Sequence, residues 1–145
     1  MILRDEAETA EAGTALAQAL RAGDVVTLSG PLGVGKTSLA RAVLHAAGHE
    51  GEVPSPTFAI VQPYEELPLP IWHCDLYRIE DPEELDELGL DMALEDGALL
   101  VEWPERAGAA VWPHALRLSL AFAEGGARSL TAEVPAAWKD RWPPR

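Results

Sequence analysis

The chain has 145 residues and a formal net charge of −13, from 24 acidic and 11 basic residues. This acidity argues against direct binding to RNA or DNA, and a single cysteine, Cys74, excludes an internal disulfide. No apolar run approaches the roughly 20 residues that span a bilayer, and the N-terminus turns acidic too early for a targeting peptide. We therefore expect a soluble, cytoplasmic protein that is not bound to a membrane.

The length, and the lack of any linker-like segment, predict one domain over residues 1–145. The last residues, WKDRWPPR, predict that 136–145 form a loose tail. The acidic composition fits two interpretations, plain solubility and a surface that steers a basic partner.

Apolar periodicity and cap residues predict three helices. They are Asp5–Arg21, Leu39–Ala47 and a segment from Asp81 to Gly89. Asp5 and Glu8 are a candidate cap pair for the first helix. In the third, Asp81 is the expected N-cap, because a proline and a glutamate follow it in the first turn.

Short apolar runs predict four strands, and alternating apolar residues around Gly125-Gly126 predict a β-hairpin near the C-terminus. The four strands are Val25–Ser29, Phe58–Gln62, Ile71–Cys74 and Ala98–Trp103. The first of them leads directly into a glycine-rich segment.

That segment, GPLGVGKT from Gly30 to Thr37, matches the pattern G-x-x-x-x-G-K-[ST] between a predicted strand and a predicted helix. The glycines let backbone N–H groups turn inward around a β-phosphate, and the helix N-terminus adds its positive end. Lys36 reaches the β- and γ-phosphates, and Thr37 can place its hydroxyl on Mg²⁺. The residues expected to bind the nucleotide here are Pro31, Leu32, Gly33, Val34, Gly35, Lys36, Thr37 and Ser38.

A nucleoside-triphosphate site also needs a carboxylate at the end of a neighbouring strand. Glu102 follows four apolar residues and has the better strand-end pattern, whereas Asp75 ends a run that His73 interrupts. Both can serve, one near the metal and one near the attacking water. The predicted catalytic residues are therefore Lys36, Asp75 and Glu102.

Two other groups of residues are ambiguous from sequence alone. Ser55–Thr57, between prolines, fits either a simple turn or a switch loop that senses a γ-phosphate. The histidines have no metal-ligand spacing and are interpreted as structural or surface residues. They are His45, His49, His73 and His114.

Taken together, GPLGVGKTSLAR, SPTF, HCDLYR with IEDPEELDELGLD, and VEWPER resemble, in order and spacing, the TsaE (YjeE-type) family. Its members are bacterial ATPases of the machinery that makes threonylcarbamoyl-adenosine at position 37 of tRNA. The resemblance runs from Glu6 to Val134, nearly the whole chain.

The resemblance implies an α/β fold, a P-loop NTPase-like three-layer sandwich whose mixed sheet has a parallel centre and antiparallel flanking strands. It implies ATP and Mg²⁺ held at Lys36 and Thr37, with Glu102 at the metal and Asp75 in the Walker B role. It also implies base or ribose contacts around Thr9 and Arg128.

The partner implied by the resemblance is a two-subunit tRNA-modifying complex of TsaB–TsaD type, which ATP turnover resets. Contact with tRNA would be indirect. Two rival functions share the same loop: a small-molecule kinase, and a nucleotide-gated binding module that never hydrolyses. The arginines are scattered and no insertion is large enough for a substrate lid, which argues against the kinase.

Overall fold

The computed structural model describes residues 1–54, 60–108 and 111–143. Within them the chain forms seven strands and three α-helices. The strands are β1 (Ile2–Leu3), β2 (Val25–Ser29), β3 (Val61–Tyr64), β4 (Ile71–Asp75), β5 (Ala98–Glu102), β6 (Leu116–Phe122) and β7 (Arg128–Glu133). The helices are α1 (Glu6–Ala19), α2 (Lys36–Ala46) and α3 (Leu90–Asp96).

All seven described strands join one mixed sheet in the order β1-β7-β6-β2-β5-β4-β3. The central strands β6, β2, β5 and β4 run parallel to one another. β3 pairs antiparallel with β4 at one side, and β7 pairs antiparallel with β6 and β1 at the other. The predicted parallel centre with antiparallel flanks is confirmed.

Helices cover the two faces of the sheet, which gives the expected three layers. On one face α1 and α2 share a hydrophobic cluster with the inward residues of β2, β5 and β6, including Leu28, Leu100 and Leu118. The two helices approach closely at Gly13, which has no side chain. A Cβ at this position would lie only 2.5 Å from the Cβ of Ala42. On the other face a smaller cluster joins α3 to residues such as Val101.

Both predicted helix caps are present. The Asp5 side chain accepts a hydrogen bond from Glu8 N at 2.9 Å, and the Asp81 side chain accepts one from Glu83 N at 3.0 Å. The segment after Asp81 differs from the prediction, because Pro82–Leu88 is a 3₁₀ helix and α3 follows it. Gly89, in the left-handed region at φ 69°, separates the two.

The C-terminal segment is packed on the body of the protein, so the expectation of a loose tail over 136–145 is wrong as far as residue 143. Trp138 is fully buried, and Trp142 belongs with it to the cluster that contains Leu16 and Leu20. The side chain of Arg141 forms a two-pronged ion pair with Asp24, at 2.6 and 2.9 Å. A terminal position favours a loose segment, but the buried area of the two tryptophans outweighs it.

Among the helices formed by the described residues, none combines the length and the apolar character that crossing a bilayer would require.

Candidate nucleotide-binding site

The glycine-rich loop connects the buried end of β2 to the first turn of α2. Three of its glycines have positive φ angles: Gly30 at 145°, Gly33 at 80° and Gly35 at 111°. Gly30 is further constrained because a Cβ there would collide with the carbonyl oxygen of Leu120. A side chain at these positions would be strained, so the loop conformation depends on glycine.

Lys36 is the first residue of α2 and is almost fully buried, with 5% exposed. Its ammonium donates to the carbonyl oxygens of Gly30 and Pro31, and it lies 3.6 Å from the ring centroid of Trp103. Burial lowers the pKa of Lys36, while the carboxylates of Glu102, Glu105 and Asp75 act in the opposite direction. The cation therefore lies at the loop, facing carbonyl oxygens and an aromatic ring.

Trp103 reaches Lys36 through an unusual backbone conformation. At φ 57° it is the only described non-glycine residue with positive φ, directly after β5 ends. Such a conformation costs on the order of 1 kcal/mol or more for a bulky residue. It turns the indole back over the loop, where Tyr77 also packs on it at 4.9 Å between ring centroids.

Glu102, the last residue of β5, is bound on both carboxylate oxygens. Thr37 Oγ1 donates to its Oε1 at 2.8 Å, and His73 Nε2 lies 2.6 Å from its Oε2. Glu102 is 2% exposed and His73 is fully buried. The sheet and α2 thus bring together a hydroxyl and a carboxylate that are 65 residues apart in sequence.

Asp75 is the neighbour of Glu102 across the parallel β4–β5 pair, where the two residues are in register. It is half-buried, and its Oδ1 accepts a hydrogen bond from Tyr77 N at 3.0 Å. Burial raises the pKa of Asp75 and nearby Glu102 raises it further, whereas the Tyr77 hydrogen bond lowers it. The two predicted acids therefore lie side by side at the carboxyl end of the sheet.

A cavity of about 760 Å³ extends from the loop between α1, α2 and the β6–β7 turn. Its lining includes Thr9, Gly33, Gly35, Ser38 and Arg128. It thus brings Thr9 and Arg128, from opposite ends of the sequence, to one cavity beside the loop.

Arg128 and Thr9 have specific roles in that wall. Arg128 Nε donates to the carbonyl oxygen of Val34 at 2.8 Å, and its guanidinium lies 4.8 Å from the ring centroid of Phe122. Thr9 Oγ1 donates to Asp5 O at 3.3 Å. Arg128 therefore supports the backbone of the loop, and nucleotide contact by either residue stays a prediction.

The predicted loop residues differ in exposure. Pro31, Leu32, Gly33 and Ser38 are exposed, Leu32 to 75%, whereas Val34 is buried beneath the loop. Ser55–Thr57, the candidate switch loop, lies outside the described residues, as do the first two residues of the predicted strand Phe58–Gln62, of which Ile60–Gln62 is described. The described part begins β3 at Val61.

Sequence reasoning missed the contact between His73 and the acid pair. Interpreting His73 as structural was incomplete, because its ring contacts Glu102 directly. A signal was present in the sequence: His73 and Asp75 are two residues apart on one strand, so their side chains share a face of the sheet. Leu100 and Glu102, their partners in β5, share that same face.

The donor set fits a magnesium ion. No group of three or more His, Cys, Asp or Glu side chains suited to a metal is found in residues 1–54, 60–108 and 111–143. Mg²⁺ is commonly held by one or two protein oxygens together with substrate phosphates, rather than by a cage of protein ligands. The Thr37 hydroxyl and the Glu102 carboxylate are oxygen donors of that kind.

A β-sheet with a parallel centre, in which β2 leads through a glycine-rich turn into a helix that begins Lys-Thr, defines the P-loop class of nucleotide-binding proteins. Residues 3–130 match the sequence model of the family described as threonylcarbamoyl adenosine biosynthesis protein TsaE. The chain belongs to the TsaE family.

Individual relatives of the chain carry the name of the same family. Proteins named tRNA threonylcarbamoyladenosine biosynthesis protein TsaE are similar to it: that of Rickettsia typhi is 36% identical, over 87% of this chain and 88% of that protein. The Streptomyces coelicolor protein is 42% identical over 79% of this chain and 80% of its own. The Rickettsia felis protein is 42% identical over 72% of this chain, and the matched part spans 62% of its length.

A solved structure shows the same fold. The crystal structure of YdiB from Bacillus subtilis is 28% identical, with a TM-score of 0.77 over 91% of this chain and 82% of that one.

Proposed function

We propose that this protein is an Mg²⁺-dependent ATP-binding and ATP-hydrolysing accessory protein in the synthesis of threonylcarbamoyladenosine at position 37 of tRNA. It binds a two-subunit modifying complex of TsaB–TsaD type, and its ATP turnover resets that complex. The names of its relatives support a role in this synthesis. The observation that carries the ATP part is the Thr37–Glu102 hydrogen bond beside the buried Lys36.

Lys36 is the residue on which nucleotide affinity depends most. Its ammonium donates to loop carbonyls at Gly30 and Pro31, and with nucleotide bound the same group would contact the β- and γ-phosphates. A charge-assisted contact to phosphate is worth more than a contact to a neutral carbonyl, so the lysine gains by the exchange.

Thr37 and Glu102 would hold Mg²⁺, which supplies charge neutralisation at the transferred phosphate. Asp75, beside Glu102 in the sheet, is suited to orient the attacking water. Desolvation raises its pKa, and this makes the carboxylate a better proton acceptor than an exposed aspartate.

The cavity beside the loop would receive the nucleoside. Its volume of about 760 Å³ lies within the range of roughly 300–1,000 Å³ typical of small-ligand sites. Thr9 and Arg128 both line it and are the proposed base or ribose contacts.

The net charge of the chain supports an indirect contact with tRNA. A net charge of −13 repels the tRNA backbone, so contact with tRNA would come through the modifying complex.

ATP binding by the Lys36→Ala variant tests the nucleotide site. We expect calorimetry to show lost or severely weakened ATP affinity, because the phosphates lose their charged donor while the hydrophobic clusters are untouched. Lys139→Ala is the matched control, since Lys139 is exposed and far along the chain. Circular dichroism checks that both variants are folded, and near-normal affinity in folded Lys36→Ala would contradict the assignment.

A further inference from the structure

We propose that His73 is a positioning residue that orients the Glu102 carboxylate towards Thr37 and so sets the Mg²⁺ dependence of nucleotide binding. This inference rests on the proposed function. His73 is the second residue upstream of Asp75 on β4, and no part of the function described above uses it.

The geometry gives each oxygen of Glu102 its own donor. Thr37 Oγ1 donates to Oε1 at 2.8 Å, and the His73 ring nitrogen Nε2 is 2.6 Å from Oε2. Because the two contacts lie on opposite oxygens, they fix the rotation of the carboxylate as well as its position. Neither Glu102 nor His73 is free to exchange these partners for water, since they are 2% and 0% exposed.

The position of the hydrogen follows from the chemistry of the pair. An ionised carboxylate only accepts hydrogen bonds, so the hydrogen of this contact is on His73 Nε2. The other ring nitrogen, Nδ1, is buried with no hydrogen-bond partner among the described residues. A ring that carries its hydrogen on Nε2 leaves only a lone pair unsatisfied at Nδ1.

An unsatisfied buried nitrogen is a cost that an apolar side chain of similar size would avoid. The hydrogen bond that the imidazole donates to Glu102 offsets this cost. The sheet makes this donor rigid: His73 is in register with Leu100, and Asp75 is in register with Glu102. The imidazole thus reaches the acid diagonally across two hydrogen-bonded strands, with no flexible loop between them.

Losing this donor would affect metal-dependent binding selectively. Phosphate contacts from the loop backbone and Lys36 do not involve His73, so ATP affinity without Mg²⁺ should be unchanged. Glu102 without its second donor would keep its charge but lose its fixed orientation towards Thr37. Removing an outer partner of a metal-binding carboxylate typically costs about 10- to 100-fold in metal affinity or activity.

The test measures ATP affinity by calorimetry, in Mg²⁺ and in excess chelator, for the wild type and two variants. His73→Leu removes the donor at similar size, and His73→Gln retains a side-chain N–H. We expect His73→Leu to weaken affinity at least about tenfold in Mg²⁺ and less than about twofold in chelator. His73→Gln should recover most of the loss.

His114→Leu is the matched control, because His114 contacts Gly23 O, away from the acid pair. Equal affinities of wild type and His73→Leu in Mg²⁺ would overturn the inference, and so would an equal loss in both conditions, which indicates a purely structural role. A wild type that binds no ATP in either condition overturns the proposed function itself.

A second measurement does not depend on the variants folding. Nitrogen-15 NMR of the unmodified protein distinguishes the two imidazole tautomers. We expect a hydrogen on His73 Nε2, and a ring whose hydrogen is on Nδ1 alone would overturn the inference.

Discussion

Two charged side chains, Lys36 and Glu102, are buried at the loop, and each is stabilised by specific partners. Lys36 has two carbonyl oxygens and the face of Trp103, while Glu102 has the Thr37 hydroxyl and the His73 ring. Burying a charge is costly unless it is paired or hydrogen-bonded, so these partners keep the site charged in a dry environment. Electrostatic interactions with a phosphate are stronger there than in water.

Substitutions at the two acids should separate their roles. Glu102→Gln keeps the shape of the side chain but removes its charge, so Mg²⁺-dependent turnover should fall about 100-fold or more. Asp75→Asn should also reduce turnover while changing ATP affinity less, because the Thr37 hydroxyl donates to Glu102, whereas Asp75 accepts its hydrogen bond from Tyr77 N. Phosphate release and calorimetry measure the two quantities, and normal hydrolysis by Glu102→Gln would refute its role at the metal.

At the scale of elements, α2 connects the loop to the segment that precedes Ser55–Thr57. Three side chains spaced four residues apart, two on the helix and one just after it, contact the carbonyl oxygens of residues 51–53. Arg41 Nε donates to Val53 O at 2.8 Å, His45 Nε2 is 2.9 Å from Gly51 O, and His49 Nε2 is 3.0 Å from Glu52 O. Arg41 is thus bound to the backbone in this structure.

The last of these three residues, His49, also pairs with Glu66, whose Oε1 is 2.9 Å from His49 Nδ1. Both ring nitrogens therefore face acceptors. The Glu66 hydrogen bond, followed by the Glu52 carbonyl, raises the pKa of His49, and the same contact with His49 lowers the pKa of Glu66. A raised histidine pKa gives stability that is lost as pH rises through the raised value, whereas a lowered glutamate pKa gives stability that is lost as pH falls through the lowered value.

Thermal unfolding against pH tests this pair. The melting temperature of the wild type should exceed that of His49→Gln by more near pH 6 than near pH 9. These two values lie on either side of the range, roughly around pH 6.5 and above, in which a histidine with a raised pKa loses its proton. Glu66→Gln should reduce the same pH dependence, because it removes the other half of the pair. A difference between wild type and His49→Gln that is constant with pH would contradict this assignment.

At the scale of the whole molecule, the C-terminal segment links the end of α1 to the start of β2. Arg141 donates to Ala19 O at 2.8 Å and to both carboxylate oxygens of Asp24, which also accepts from Arg21 N at 2.7 Å. Its guanidinium lies 4.1 Å from the ring centroid of the fully buried Trp138. These contacts hold the C-terminal segment against the connection between α1 and β2.

Arg141→Ala should lower the free energy of unfolding by about 3 kcal/mol, because it leaves the buried Asp24 carboxylate without its charged partner. Lys139→Ala, two residues earlier and exposed, should change it by less than about 0.5 kcal/mol. Denaturant unfolding measures both. If the two variants unfold alike, the ion pair contributes nothing and the tail docks through its tryptophans alone.

Local patterns in the sequence were sufficient to predict the loop, the strands β2, β4 and β5, the C-terminal hairpin and the strand-end positions of both acids. Glycine, cap residues and apolar runs act over a few neighbours, so their effects are visible in one stretch of chain. The His73–Glu102 and Arg141–Asp24 contacts join residues 29 and 117 positions apart. Such pairs depend on strand register and on packing, which local patterns do not encode.

We also expect the isolated protein to be a slow enzyme that a partner activates. Arg41 is bound to Val53 O, and Arg128 to Val34 O, which leaves neither of them directed at a transferred phosphate in this structure. An arginine supplied at the transition state accelerates related reactions by roughly 10³- to 10⁵-fold. We therefore expect the modifying complex to supply or order a group that stabilises the transferred phosphate.

Single-turnover ATP hydrolysis tests the central claim most directly, with the protein alone, with the two-subunit modifying complex, and with tRNA alone. We expect tight ATP binding with slow hydrolysis alone, a large acceleration by the complex, and no effect of tRNA by itself. Rapid hydrolysis by the isolated protein, or stimulation by tRNA without the complex, would contradict the account.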